Sequence, residues 1–234
     1  MHYRAVAVCV LGLAATACGT NELSVRGERQ VQEVELEPGE TLAIVNASPA
    51  TLDDVVQCVE HALHKEAPDL TFVSSSVFRD RLFPWFEPAT APDSVEELTE
   101  VLGNLPVRQR MQEFALRYVI AVSGDTDENT DTWGGCFGGY AGAGCVGGLL
   151  LNKKTDLAAT ILDVRYLRQV SELAASGSGS SQAGMIVIVP YVTVSSTESS
   201  TCRVLAERIV EVLRGGPAAP GKSRKLVIPA AVPG

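Results

Sequence analysis

From residue 41 onward the chain alternates short apolar runs with amphipathic stretches. TLAIVNASP reads as a strand stopped by Asn46, Ser48 and Pro49. Leu52, Val55, Val56, Val59, Ala62 and Leu63 then recur at helical spacing, with Thr51 and Asp54 placed as a capping box. After Pro68 come a strand, LTFVSS, a short helix, SVFRDRLF, and a proline-rich connection, PWFEPATAP. Ser94 and Glu97 form a second capping box ahead of Val95, Leu98, Val101 and Leu102. Pro106 breaks that helix, and VRQRMQEFA continues for about two turns.

RYVIAVSG, residues 117–124, is the clearest interior strand, bounded by Gly124 and acidic turn residues. Residues 125–148 read as one long loop or hairpin, since eight of the last fifteen are glycine. LLLNKKTDLAATILDV reads as a strand and RYLRQVSELAASG as a second strand or strand edge, with GSGSSQ as a turn or flexible tip. MIVIVPYVTV is extended, and Pro190 restricts it to an edge or covering position. TESSTCRVLAERIVEVL is a helix with Val204, Leu205, Ile209, Val212 and Leu213 on its buried face, and residues 215–234 read as a disordered tail.

The first residues change the picture more than any element of the folded part. Arg4 precedes an uncharged, mostly apolar run over residues 5–17, and Ala15, Thr16 and Ala17 stand directly before Cys18. A charged start, an apolar centre and small residues at the end are the layout of a secretory signal. Thirteen helical residues rise only about 20 Å, short of a hydrocarbon core of about 30 Å. With Cys18 as its end point the stretch resembles the lipobox of bacterial lipoproteins, although Ala15 stands where that family usually has Leu. The resemblance implies a signal peptide over residues 1–17, a lipid-modified Cys18, and residues 18–40 as lipidated start and tether. It also implies a chain held in the outer membrane and facing the periplasm, because Gly19 occupies the position where Asp would retain it at an inner membrane. Such a tether would stand the domain about 25 Å from the membrane on average. Its VQEVELE portion alternates and can instead add an edge strand.

The 234 residues carry a net charge of −9, and loss of residues 1–17 removes one base, Arg4, and no acid. That acidity argues against nucleic acid as a partner and against adhesion to anionic lipid through a basic patch. Of the six cysteines, Cys9 leaves with the signal and Cys18 takes the lipid. Cys136 and Cys145 bracket one glycine-rich segment and pair most simply with each other, leaving Cys58 and Cys202 to join two helices. Free buried thiols are the alternative.

The element order gives an α/β fold, a mixed sheet packed against helices. The strand and helix TLAIVNASPATLDDVVQCVEHALHK, the strand RYVIAVSG, the pair TDLAATILDV and RQVSELAASG, and the helix TCRVLAERIVEVL resemble a known arrangement. It is the three-layer fold of the TolB amino-terminal domain and of curli-secretion-type outer-membrane lipoproteins. The resemblance covers residues 41–214 and implies a protein-binding component of envelope assembly or export rather than an enzyme. The glycine-rich segment and the tail depart from a minimal version of that fold.

Candidate chemistry is sparse. GAGCVG at 142–147, with Asp163 beyond it, matches a dinucleotide fingerprint. The strand before and the helix after that the motif needs are missing, so no cofactor is expected. Asp125, Asp127, Asn129 and Asp131 alternate like the start of a calcium loop, but Thr130 and Cys136 replace the glycine and the bidentate acid. Cys58, His61 and His64 lie on one helix, but six residues turn about 240°, so the three cannot face one metal. Phe83, Trp85 and Phe86, the last two framed by Pro84 and Pro88, are either core packing at a bend or a protein-binding anchor. The expectation is a non-enzymatic, membrane-anchored lipoprotein that binds another envelope protein. The alternatives are an envelope enzyme with a metal-assisted site near 125–131 and a lipoprotein that assembles with itself as a homo-oligomer.

Overall fold

The computed structural model describes residues 20–30, 34–48, 51, 53–87, 89–139, 142–186, 189–193, 196–216 and 226–229. The signal segment and Cys18 lie outside the described residues. In chain order the elements are β1 (Thr20–Gln30), β2 (Thr41–Asn46), α1 (Asp53–Glu66), β3 (Phe72–Val73), α2 (Ser75–Arg81), α3 (Val95–Gly103) and α4 (Leu105–Glu113). There follow β4 (Leu116–Gly139), β5 (Gly142–Asp163), β6 (Arg168–Ile186), β7 (Val189–Thr193), α5 (Thr197–Leu213) and β8 (Leu226–Pro229). The strands form one mixed sheet in the order β3-β2-β4-β5-β6-β1-β8, with β7 added to the far part of β6. Only β2 runs parallel to its neighbours β3 and β4; the other pairings are antiparallel.

Strand alternation sorts the sheet's side chains onto two covered faces. Leu42, Ile44, Tyr118, Ile120, Val122, Leu157, Ile161 and Leu173 meet Val55, Val59 and Leu63 of α1 and Leu205, Ile209 and Val212 of α5. On the opposite face Ala43, Val45, Val119 and Ala121 meet Phe78, Leu98, Leu102, Val107 and Met111 from α2, α3 and α4. The result is the expected α/β fold, a mixed sheet packed against helices. Cys58 and Cys202 join α1 to α5, with Cα atoms 6.0 Å apart across a sequence separation of 144.

The helix starts agree in part with the capping signals. Ser94 accepts from the Glu97 N–H at 3.2 Å, while the Glu97 carboxylate reaches one residue further back, to the Asp93 N–H at 2.8 Å. Thr51 does something else: it is buried, and its hydroxyl accepts from the Gly124 N–H at 3.3 Å, tying the chain before α1 to β4.

Three segments differ from their sequence-based expectations. Residues 20–30, expected within the tether, are strand β1, paired with β6 from Glu22↔Ser178 to Gln30↔Ser171. Leu23 and Val25 of β1 are buried with Val204 of α5, so this segment belongs to the sheet rather than to a free linker. The glycine at position 177 permits that packing, because a Cβ there would collide with the Thr201 hydroxyl and crowd Leu23. GSGSSQ, expected to be a turn, lies in the middle of β6 and pairs with β5. Within the expected tail, residues 226–229 form β8 and pair with β1 from Thr20↔Pro229 to Leu23↔Leu226.

Candidate functional site

β4, β5 and β6 do not stop where the helices stop. The cores end at Val122, Leu157 and Ala175. β4 then runs on to Gly139, and β5 returns from Gly142, paired residue for residue from Gly139↔Gly142 to Tyr118↔Asp163. Residues 125–148 are thus a hairpin, the second of the two forms expected for them. Seventeen residues at about 3.4 Å each carry β4 roughly 55 Å past its last apolar core residue, the first part of that length still lying beside the start of α5. β6 accompanies β5 to Val146↔Ile186, and β7 folds back along β6 from Ile186↔Val189 to Gln182↔Thr193. From the row of Asp131 to the row of Gly135 the projection is therefore a four-stranded antiparallel ribbon, β4-β5-β6-β7, and among the described residues the β4–β5 hairpin continues alone from Cys136↔Cys145 to Gly139↔Gly142.

The ribbon changes character along its length. Nearest the body its side chains are charged and hydroxylated. Lys153 reaches Glu198 of α5 at 2.7 Å, and Lys154 pairs with Asp156. Shallow troughs of about 690 and 600 Å³ run here, lined among others by Ser123, Asp125, Asp127, Lys154, Ser176 and Ser178. Past Asp131 on β4 and Lys153 on β5 the charges end: residues 132–152 and 173–197 contain no Asp, Glu, Lys or Arg. The rows beyond pair Thr132 with Leu149 and Ala183, Trp133 with Gly148 and Gly184, and Gly135 with Val146 and Ile186. From Thr132 to Gly139 this uncharged part is about 27 Å long.

Trp133 marks the boundary. It is 49% exposed. Its ring lies over the strand at Gly148, where an added Cβ would stand 3.2 Å from the ring and 2.9 Å from the Ala183 carbonyl oxygen. A large aromatic can lie across the ribbon there because the position beside it has no side chain. Tyr191 falls in the same row through Gly184. Trp133 and Tyr191 thus stand in one row, two rows past Asp131, where the charges end. Among the described residues no helix is long and apolar enough to cross a membrane, which leaves strand crossings open.

The ribbon also has two open sides. β2 accompanies β4 only to Asn46↔Val122, and among the described residues no strand lies along the outer side of β4 beyond it. On the far side β7 pairs with β6 and with no other described strand. Pro190 sits in β7, an edge strand, as its missing N–H requires.

The residues singled out from the sequence fall apart rather than together. Asp125, Asp127, Asn129 and Asp131 are on β4, not in a loop, in a ladder with Asp156, Lys154, Asn152 and Leu150. Alternate strand residues share a face but stand nearly 7 Å apart, so they form a column and cannot wrap one calcium ion. Among the described residues no cluster of three or more His, Cys, Asp or Glu could hold a metal. His61 and His64 are exposed on α1. The aromatic cluster divides. Phe86 is buried against Phe78, ring centroids 4.9 Å apart, and belongs to the core. Trp85 is half-buried against that core, with the Arg110 guanidinium 5.4 Å from its ring centroid. Phe83 alone is well exposed, at 55%. Cys136 is disulfide-bonded and stands opposite Cys145 in the ladder, in the ribbon's outer part.

At the end of the sheet away from the ribbon, a buried ionic cluster holds the chain entering β2. Arg117 hydrogen-bonds Asp163 and lies 3.6 Å from Glu40, which also accepts from Arg165 at 2.7 Å. Desolvation opposes the Arg117 charge. The hydrogen bond to Asp163 and the fields of Tyr118, Asp163 and Glu40 outweigh it, so the guanidinium titrates above its ordinary range. The Tyr118 hydroxyl accepts from the Glu35 N–H at 3.1 Å and donates to the Glu35 carbonyl at 3.0 Å.

No family model and no curated protein matches the chain. Among solved structures it is similar to the PelC dodecamer from Paraburkholderia phytofirmans, at 16% identity and a TM-score of 0.36, covering 82% of this chain and 98% of that one. A point variant of the same PelC dodecamer gives 16% identity and a TM-score of 0.35, covering 81% of this chain and 99% of that one.

Proposed function

We propose that this chain is an exported, lipid-anchored component of the cell envelope that assembles with further copies of itself through the ribbon, the joined ribbons forming a strand wall through a bilayer. The observation that supports it is a four-stranded projection that is uncharged at its end and open along both outer sides. Open edges in water invite uncontrolled pairing, and in a bilayer their unmade hydrogen bonds cost several kcal/mol each. Closing the edges on one another removes both problems. β4 runs toward the tip and β7 away from it, so β7 of one copy can meet β4 of the next in antiparallel fashion. The two edges are different surfaces, and such a head-to-tail contact forms a ring when its rotation closes. Four strands lie side by side from Asp131 to Gly135, about 17 Å, and the β4–β5 hairpin carries the uncharged length to about 27 Å, near the apolar band of about 25 Å found in strand barrels. In this reading Cys18 carries the lipid and the partner is a second copy of the chain.

The test is purification of the full chain from bacterial membranes, its mass measured in detergent, and dye release from vesicles of phosphatidylethanolamine and phosphatidylglycerol. A multi-copy species that releases dye is expected. Val146→Arg, deep in the uncharged part, should abolish release while leaving the body's melting temperature unchanged, because a midplane arginine costs about 2–4 kcal/mol per copy. Cys18→Ala should appear in the soluble fraction. A monomer that releases no dye overturns the reading.

A further inference from the structure

We propose that the α2–α4 side of the body is a docking surface for an acidic polypeptide, its arginines taking the partner's carboxylates and Phe83 its apolar side chains. The surface lies in the body and stands independently of the ribbon reading above. Arg79, Arg81, Arg108 and Arg110 are all exposed on α2 and α4, against Asp80 and Glu113 as the acids of those helices. Among the described residues none of the four reaches a carboxylate, whereas Arg117, Arg165, Arg203, Arg208 and Arg214 each do. That is unexpected in a chain with 28 acids and 19 bases. No lysine occurs between Lys65 and Lys153, so the surface is built from arginine alone. Arginine and aromatic side chains are enriched where proteins meet, and lysine is depleted.

Two of the guanidiniums are held in place without being neutralised. Arg81 lies over the Phe114 ring at 4.8 Å and Arg110 over the Trp85 ring at 5.4 Å. Arg110 also donates to the Arg81 carbonyl at 3.2 Å and the Phe83 carbonyl at 2.8 Å, which ties α4 to the end of α2. A guanidinium fixed in this way loses little freedom on meeting a carboxylate, and both keep N–H groups for a paired contact. Phe83, 55% exposed, lies in the chain between Arg81 and Trp85 and offers an apolar contact beside the charges. On the other flank of α4, Arg108 borders a hollow of about 290 Å³ together with Met111, Leu116 and Arg165. The net charge of −9 does not prevent docking here, because at physiological salt fields fade over about 8 Å and the nearest charges decide.

The test is fluorescence anisotropy of the labelled peptide Glu-Leu-Glu-Glu-Leu-Glu, titrated with the purified full chain. The protein carries Trp133→Phe, so that Trp85 is the only tryptophan. Saturable binding is expected, with a change in Trp85 emission at the same midpoint and no binding of the neutral peptide Gln-Leu-Gln-Gln-Leu-Gln. Arg81→Ala and Arg108→Ala should each weaken binding about tenfold. Their melting temperatures should match the parent's, since among the described residues neither side chain makes a hydrogen bond or an ion pair. Phe83→Ser should weaken binding as well, while Arg214→Ala, which removes a charge at the end of α5, should leave it as it is. Absence of saturable binding, or an equal loss in Arg214→Ala, overturns the surface. A polyuronate oligomer of equal charge that binds as tightly as the peptide overturns the polypeptide as its partner. A chain that binds the peptide yet releases no dye from vesicles overturns only the ribbon reading.

Discussion

The body and the ribbon are the same sheet under different cover. β4 makes the contrast within one strand: Tyr118 to Val122 are all buried, whereas Glu128 to Thr132 are all exposed. In the body, helices lie on both faces, and burial of Ile44, Ile120, Leu157 and Ile161 contributes on the order of 1.5–3 kcal/mol per side chain. In the ribbon the ladder continues in full register, and among the described residues no helix lies over its outer half, so backbone pairing holds a shape that side-chain burial does not. On the reading proposed above, neighbouring copies complete that open sheet. Stability should therefore reside in the body and association in the ribbon, which substitutions in each can separate.

The largest expected loss comes from the bond between the helices of the main core. The Cys58–Cys202 disulfide closes a loop of 144 residues in sequence separation, and removing it as Cys58→Ala/Cys202→Ala should cost about 4 kcal/mol in urea unfolding. A loss under about 1 kcal/mol would mean that the packing of α1 on α5 suffices without it. Next in size, Ile120→Ala opens a cavity in the fully buried centre of β4 and should cost about 3 kcal/mol. The matching truncation in the ribbon, Leu149→Ala at a position 40% exposed, should change the same midpoint by less than about 0.5 kcal/mol. If both cost alike, the ribbon folds as part of the body and the contrast fails.

The contrast also explains what could be read from the residues alone. Helices α1, α3 and α5 announce themselves because each buries one stripe, and RYVIAVSG because both its faces are covered. The Cys58–Cys202 pair followed from setting Cys136 and Cys145 together across the glycine-rich segment, which left one cysteine on each of α1 and α5. Alternation signals a strand only when one face is buried, and among the described residues no helix covers either face of the ribbon's outer half. Glycine and serine rows such as GSGSSQ therefore looked like turns. The legible signal was a different one, the two charge-free stretches 132–152 and 173–197, each long enough for two strands and a turn. β1 was obscured by Glu22, Arg26, Glu28 and Arg29, with only Leu23 and Val25 spaced to show its buried side. The acidic alternation at 125–131 was a strand's own period, which the calcium reading took for a loop's ligand spacing.

A smaller effect separates the ends of the body. Burial raises the Tyr118 pKa above 10.0, against the opposing pull of the Glu35 backbone and Arg117. The unfolded chain then releases this proton first as pH rises. The stabilisation is fully present below about pH 10 and is lost as pH climbs through the folded value. Above pH 10 the parent should lose stability more steeply than Tyr118→Phe, by up to about 1.4 kcal/mol per pH unit. At neutral pH that variant should be about 1 kcal/mol less stable, having lost the bonds to Glu35. Parallel alkaline profiles in thermal melts would show that Tyr118 does not titrate with unfolding.

The smallest effect on stability is expected where the ribbon's own packing is finest. Gly148→Ala places a methyl group 3.2 Å from the Trp133 ring and 2.9 Å from the Ala183 carbonyl oxygen. The ring can swing away because it is half in solvent, but the Ala183 carbonyl belongs to the backbone, so the β5–β6 ladder must open locally at that row. The urea midpoint of the body should stay within about 0.5 kcal/mol of the parent. Trp133 emission, read in a Trp85→Phe background, should move to longer wavelength as the ring leaves its seat. Because the ring marks the polar boundary, the same substitution should slow entry into vesicles without altering the melt. An unchanged spectrum would mean that the ring does not rest on Gly148. A lowered melt would mean that the ribbon's packing reaches back into the cores, and that body and ribbon are one cooperative unit.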